Sequence, residues 1–116
     1  MSDQQLLDNI HALLKEILAE FDRVCTKLDI PYAVYGGTAI GAVRHQGFIP
    51  WDDDIDVFMP RPDYDRFLAL AAHSMPEGYE VMTPYNTKDY PMYFSKMCNA
   101  HTTLLENEHI PCIFGL

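Results

Sequence analysis

The sequence predicts an α/β (α+β) fold in which helices and strands share one core. A long run of apolar residues at helical spacing covers residues 2–28, and a shorter one covers 63–73. The other apolar runs are short and typical of strands, at 32–35, 54–59 and 79–82. Neither a repeat nor a linker divides the chain, so we predict a single domain over residues 1–116.

The first helix has a start signal and a wide apolar face. Ser2 and Gln5 fit a capping box, in which each side chain bonds the backbone N–H of the other residue. Apolar residues recur at three- and four-residue steps: Leu6, Ile10, Leu13, Ile17, Phe21, Val24 and Leu28. A stripe of this width favours packing against a sheet, and a partner-binding face is the alternative.

A strand and a short helix are predicted after Pro31. Residues 32–35 form a short apolar run that Gly36 and Gly37 interrupt, as expected at the end of a strand. Thr38 is a residue type that caps helices, so we predict a helix from 39 to 44.

The rest of the chain alternates loops with short elements. A loop at 45–51 leads into the strand at 54–59, and the helix at 63–73 follows. Later strands are predicted at 79–82, in a hairpin of 92–98 with 102–105, and at 112–114. The predicted domain thus has an N-terminal helix, a core and a helix with a hairpin, at 2–28, 32–59 and 63–116 respectively.

Composition excludes several classes of function. Hydrophobic residues make up 48% of the chain, which is enough for a folded core. The net charge of -9 argues against a nucleic-acid partner, because phosphate contacts need an excess of Lys and Arg. Three widely spaced cysteines are typical of a reducing compartment. With neither a signal peptide nor a membrane span recognisable, we expect the cytoplasm, including the inner face of the membrane.

The acidic run W-D-D-D-I-D-V, residues 51–57, predicts a metal site. Strand alternation would put Asp54 and Asp56 on one face with their Cα atoms roughly 7 Å apart, close enough to share one or two cations. Carboxylate oxygens favour Mg²⁺ or Mn²⁺. Asp52 is either a third ligand or, as we prefer, a brace for the site through Arg44. Asp53 is expected to point to the opposite side, into solvent.

A solvated turn and a calcium loop both fit the acidic run less well than a metal site does. A solvated turn would account for Asp52 and Asp53, but Asp54 and Asp56 lead directly into an apolar strand. A calcium loop would need Gly after the third acid and Glu at its twelfth position, where the chain has Val and Asp.

Gly36 and Gly37 precede the acidic run by about twenty residues. A glycine pair alone is weak evidence and can be a simple turn. At a helix start it can bring backbone N–H groups close to a phosphate. With a metal-binding run following, it indicates phosphoryl or nucleotidyl transfer. Of the histidines, only His45 is expected near this site.

The residues G-G-T-A-I-G-A-V-R-H-Q-G-F-I-P-W-D-D-D-I-D-V, followed by M-P-R-P-D-Y-D-R-F, resemble the LicD family of the nucleotidyltransferase-fold superfamily. Bacterial members of that family are phosphocholine transferases acting on lipopolysaccharide or teichoic acid glycans, and fukutin-type transferases of animals are relatives. The first helix and the stretch K-M-C-N-A-H-T-T also look similar to the family. The resemblance therefore covers nearly the whole chain.

The resemblance implies a nucleotidyltransferase-like mixed sheet flanked by helices. It implies that Asp54 and Asp56 are catalytic and bind Mg²⁺ or Mn²⁺. It also implies a donor-binding set of Gly36, Gly37, Thr38 and Arg44. The donor would be a CDP-alcohol such as CDP-choline, the acceptor a glycan or sugar hydroxyl, and CMP would be released.

The sequence departs from the family pattern in two ways, in its length and in a missing third carboxylate. Family members are longer, and the third carboxylate expected on a later strand has no match before Leu116, so an N-terminal portion of a domain is expected. A missing strand would leave an open edge at 92–98, which favours homodimers. The alternative functions are a nucleotidyltransferase acting on a small acceptor, or a nucleotide-binding, metal-binding or dimerising module without turnover.

Overall fold

The computed structural model describes residues 2–71, 74–103 and 115–116, and the predicted α/β class is confirmed. The elements in chain order are α1 (Asp3–Leu28), β1 (Ala33–Val34), α2 (Gly36–Arg44), β2 (Val57–Phe58), α3 (Arg61–Ala71), β3 (Tyr79–Met82) and β4 (Lys96–Asn99). In place of one mixed sheet, the described strands form two antiparallel pairs, β1 with β2 and β3 with β4.

Helix α1 packs against α3 and against β4. Its capping box forms as predicted, with the Gln5 N–H donating to Ser2 Oγ at 3.1 Å and the Ser2 N–H donating to Gln5 Oε1 at 2.9 Å. At the other end, Asp29 adopts a left-handed conformation and the Arg66 guanidinium of α3 donates to the Leu28 carbonyl at 2.9 Å. Hydrogen bonds from side chains or from the C-terminal turn therefore cap both ends of the helix.

Most of the apolar stripe of α1 is buried or partly buried, with Leu6 at its start exposed, so the prediction that the stripe packs in the core is confirmed. One cluster joins α1 to α3 through Phe21, Cys25 and Phe67, with the Phe21 and Phe67 ring centroids 5.3 Å apart. A second cluster packs Leu14 and Ile17 against partly buried side chains of the loops and of β3 and β4. Burying these side chains, at roughly 25 cal/mol per Å², is the main contribution that holds the two sheets on one helix.

The strands of the first sheet are shorter than predicted. Ala33 pairs with Phe58 and Val34 with Val57, so residues 54–56 lie outside the ladder. A strand needs a neighbouring backbone, and β1 provides only two residues before α2 begins. The side chains nevertheless alternate as predicted, because Ile55 and Val57 pack against the core clusters while Asp54 and Asp56 are exposed.

Helix boundaries also differ from the prediction. Helix α2 begins at Gly36, with Tyr35 as its N-cap, so Thr38 is inside the helix and is not its cap. Helix α3 begins at Arg61, two residues earlier than predicted, and residues 72–73 lie outside the described part.

In the C-terminal half, β3 matches the predicted strand at 79–82, and β4 pairs with it from Tyr79↔Asn99 to Met82↔Lys96. Most of the predicted strands at 102–105 and 112–114 falls outside the described residues. Across the described ranges, no helix is both long and apolar enough to cross a membrane.

Candidate active site

The N-terminus of α2 lies against the acidic loop, which we define as residues 51–56. The Tyr35 N–H donates to the Asp56 carbonyl at 3.0 Å, one backbone bond beyond the β1–β2 ladder. The Asp56 N–H donates to Thr38 Oγ1 at 2.9 Å. Thr38 thus links the first turn of the helix to the end of the acidic loop.

The glycine pair permits this close approach. Gly36 has φ +57°, a left-handed conformation that a side chain would strain, and a Cβ there would lie 3.8 Å from Asp56 Oδ2. A Cβ on Gly37 would lie 2.8 Å from Asp52 Oδ2, which is closer than real Cβ contacts. A side chain at position 37 would therefore require the Asp52 carboxylate to shift.

The same turn offers backbone donors. Hydrogen bonding within α2 begins with the Ala39 N–H and the Tyr35 carbonyl, 3.4 Å apart, so the amides of Gly36, Gly37 and Thr38 precede the first intrahelical bond. Helix N-termini attract anions through such amides and through the helix dipole. The arrangement places potential phosphate donors next to carboxylates.

Three carboxylates converge in the acidic loop. Asp52, Asp53 and Asp54 each contribute an oxygen, and these atoms lie within 4.8 Å of one another. Asp53 is exposed, as predicted, but its carboxylate lies beside those of Asp52 and Asp54 and not on the opposite side. Asp56 is outside this group but is near enough to act electrostatically on Asp54.

The negative charge of the loop appears in the pKa of Asp54. Although this side chain is exposed, partial desolvation among its neighbours raises its pKa to about 6, and the charges of Asp56, Asp52 and Asp53 add to the effect. Crowded like charges of this kind are stabilised by a cation. The donor set consists of hard oxygens, so it fits Mg²⁺ or Mn²⁺, with Asp54 and Asp56 as the predicted ligands and Asp52 and Asp53 as further candidates.

His11, which no sequence motif assigns to the site, reaches the acidic loop from α1. Its Nε2–H donates to the Asp52 carbonyl at 2.5 Å, and its ring stacks on Phe48 with centroids 4.2 Å apart and planes 6° apart. Nothing local in the sequence signals a contact between residues 41 positions apart. His45 lies at the edge of the loop, its ring centroid 6.5 Å from that of Trp51.

The expected brace between Arg44 and Asp52 is not formed. Arg44 is the exposed last residue of α2, and the ion pairs of the described residues do not include it. The loop is held instead by Thr38 at one end and His11 near the other. Gly41 packs closely against the segment before this loop, because a Cβ there would overlap the Gly47 carbonyl oxygen.

The chain is similar to known proteins of one family. The family model described as LicD/FKTN/FKRP, nucleotidyltransferase domain, matches residues 29–111. A protein of Haemophilus influenzae named lipopolysaccharide cholinephosphotransferase LicD is 49% identical over 67 residues, which are 58% of this chain and 25% of that protein.

Two uncharacterized Rickettsia proteins also match, each over 68 residues and 59% of this chain. The one from Rickettsia prowazekii is 42% identical with 26% of its length covered, and the one from Rickettsia typhi is 35% identical with 22% covered. The chain thus spans about a quarter of the length of these relatives. No solved structure matches it. The family match covers well over half of the chain, which therefore belongs to the LicD/FKTN/FKRP nucleotidyltransferase-domain family.

Proposed function

We propose that this chain carries the donor-binding and metal-binding part of a transferase that moves a phospho-alcohol, such as phosphocholine, from a CDP-linked donor to a glycan hydroxyl. The observation that carries the proposal is the contact of the amide-bearing turn of α2 with the acidic loop, with Gly37 between them. The name of the Haemophilus influenzae relative supports phosphocholine as the transferred group.

The donor phosphates are proposed to bind at the start of α2. The amides of Gly36, Gly37 and Thr38 donate to phosphate oxygens there, where the helix dipole favours anions. Arg44 lies eight residues further along the helix, about 12 Å from Gly36 along the axis. Its guanidinium is therefore assigned to a different part of the donor from the glycine amides.

Asp54 and Asp56 are proposed to hold Mg²⁺ or Mn²⁺ at the same phosphates. When bound, the cation supplies positive charge at the reacting phosphate. A carboxylate of the acidic loop that is not engaged as a ligand accepts the proton of the glycan hydroxyl. The hydroxyl oxygen then forms a bond to the phosphorus that carries the alcohol, the bond from that phosphorus to CMP breaks, and CMP leaves.

The proposal is tested by calorimetric titration of the chain with CDP-choline in Mg²⁺ and in EDTA. We expect binding in Mg²⁺ only. In the double variant Asp54→Asn, Asp56→Asn, we expect binding about tenfold weaker or more, equivalent to ~1.4 kcal/mol. The matched control is Asp63→Asn, Asp65→Asn on α3, which changes the net charge equally and removes the ion pairs with Arg66 and Arg61. Equal binding in EDTA, or in the acidic-loop variant, would contradict the proposal.

Product analysis separates the alternative functions. With CDP-choline, Mg²⁺ and a glycan acceptor, a phospho-alcohol transferase releases CMP and labels the glycan with phosphocholine. A nucleotidyltransferase would instead transfer a nucleotide from a triphosphate and release pyrophosphate, and a binding module would do neither. The proposed location is the cytoplasm, where a CDP-linked donor would be available.

A further inference from the structure

His11 contacts the acidic loop from outside the segment that the family model matches. Helix α1 spans Asp3–Leu28 and the match begins at residue 29. The contact has two parts, a hydrogen bond from Nε2 to the Asp52 carbonyl at 2.5 Å and a parallel stack on Phe48. A carbonyl oxygen can only accept, so the proton in this bond is on Nε2. The stack fixes the ring plane so that this N–H points at the loop.

The hydrogen bond from His11 lies at the turn that precedes the carboxylates of Asp53 and Asp54. The Asp52 N–H donates to the Ile49 carbonyl at 2.9 Å, and Asp52 Oδ1 accepts from the Asp53 N–H at 3.1 Å. The Asp52 peptide is therefore the point from which the following carboxylates are directed. With Thr38 holding Asp56, His11 completes a pair of anchors on either side of Asp53 and Asp54.

Repulsion acts against this arrangement. Three carboxylate oxygens within 4.8 Å of one another favour an opened loop when no cation is present. A loop that must close around the cation uses part of the binding free energy for its ordering, and one already held in place does not. An anchor on the backbone of Asp52 therefore reduces the cost of binding without being a ligand.

We infer that His11 is a positioning residue that holds the acidic loop in its cation-binding conformation and so sets the affinity of the loop for a divalent metal ion. The inference rests on the proposed function, since that function places the cation in the acidic loop. It makes metal binding depend on α1, an element outside the family match.

The test is a Mn²⁺ titration followed by the electron paramagnetic resonance signal of the free ion. His11→Phe keeps a planar ring on Phe48 and removes the donor, and we expect affinity about fivefold weaker, a loss of ~1 kcal/mol. His11→Gln has similar reach and keeps an N–H donor, so its affinity for Mn²⁺ should be within about twofold of that of the wild type. His101→Phe, which alters a histidine beside Gly78 instead, is the matched control and should bind like the wild type.

Hydrogen exchange without metal provides a second readout. Amides of the acidic loop should exchange faster in His11→Phe than in the wild type and in His11→Gln, at unchanged global stability. If His11→Phe binds Mn²⁺ and exchanges its amides like the wild type, the inference is overturned while the proposed function stands. Equal losses in the Phe and Gln variants would show that an N–H donor at this position does not restore binding, and would reject the hydrogen bond as the cause. Failure of the wild type to bind Mn²⁺ would reject both the proposed function and the inference.

Discussion

Asp54 makes the folded chain hold a proton more tightly than the unfolded chain, because its pKa rises from its ordinary value of 3.8 to about 6. Below the lower value both states are protonated. Between the two values the unfolded state loses the proton first, so the contribution of Asp54 to the unfolding free energy falls as the pH rises. Above about 6 the destabilisation by the ionised side chain is complete.

Asp54→Asn should therefore become more stable relative to the wild type as the pH rises from about 4 to about 6. The measurement is urea denaturation at several pH values with EDTA present. Asp65→Asn is the control, because Asp65 pairs with Arg61 on the surface of α3 and its loss gives no such increase. A stability difference between Asp54→Asn and the wild type that does not change with pH would contradict the raised pKa.

Gly37 offers a second prediction at the scale of one residue. In Gly37→Ala the new Cβ would lie 2.8 Å from Asp52 Oδ2, so the carboxylate must move. We expect Mn²⁺ and CDP-choline to bind roughly fivefold more weakly, while the helix remains intact because alanine favours it. Gly47→Ala is the control, since a Cβ there meets nothing within 4 Å. Equal affinities in the two variants would reduce the glycine pair to a simple turn.

At the scale of elements, α1 could be predicted because its signals are local. The capping box of Ser2 with Gln5 and the apolar stripe are encoded within the helix itself. The existence of the first two strands was also predictable, but their length was not. How far β2 extends depends on β1, which has only two residues.

The features of the candidate site also divide into those with a local sequence signal and those that depend on tertiary contacts. The sequence predicted the glycine pair and the acids, because both are short motifs with recognisable chemistry. The prediction that Asp53 points to the opposite side depended on strand pairing. The predicted brace between Arg44 and Asp52 depended on a tertiary contact that does not form. The contact that does form comes from His11, and only the packing of α1 against the loop brings it there. The roles of Asp54 and Asp56 as metal ligands stay predictions.

Thr38 connects two elements and gives a prediction at this scale. Thr38→Val keeps the shape of the side chain but removes the oxygen that accepts the Asp56 N–H. We expect a loss of about 1 kcal/mol in the free energy of unfolding and weaker Mn²⁺ binding, because α2 no longer holds the end of the loop. Thr38→Ser retains the hydroxyl, so it should keep most of the stability and most of the affinity for Mn²⁺. A loss in the serine variant as large as that in the valine variant would show that the hydroxyl alone does not hold the loop, and would contradict this role of the hydrogen bond.

At the scale of the molecule, three apolar clusters raise the question of whether the chain folds as one unit. Cys25 belongs to the cluster of α1 and α3, and Cys98 belongs to the cluster of β3 and β4. Met97, which precedes Cys98 in β4, packs against the α1–α3 cluster and also against the cluster of Leu14 and Ile17. This shared contact predicts that the clusters lose their packing together, as expected for a single domain.

The two buried cysteines allow that cooperativity to be measured. Burial raises the pKa of the Cys25 thiol to about 11 and also encloses Cys98, so in the folded chain these two thiols should react slowly with maleimide near neutral pH. Pulses of N-ethylmaleimide at increasing urea, with the peptides containing Cys25 and Cys98 quantified by mass spectrometry, give one unfolding curve for each cluster. We expect the same midpoint for both curves and for circular dichroism. An earlier midpoint for Cys98 would show that β3 and β4 unfold separately from α1 and α3, and the prediction of one domain would then be wrong.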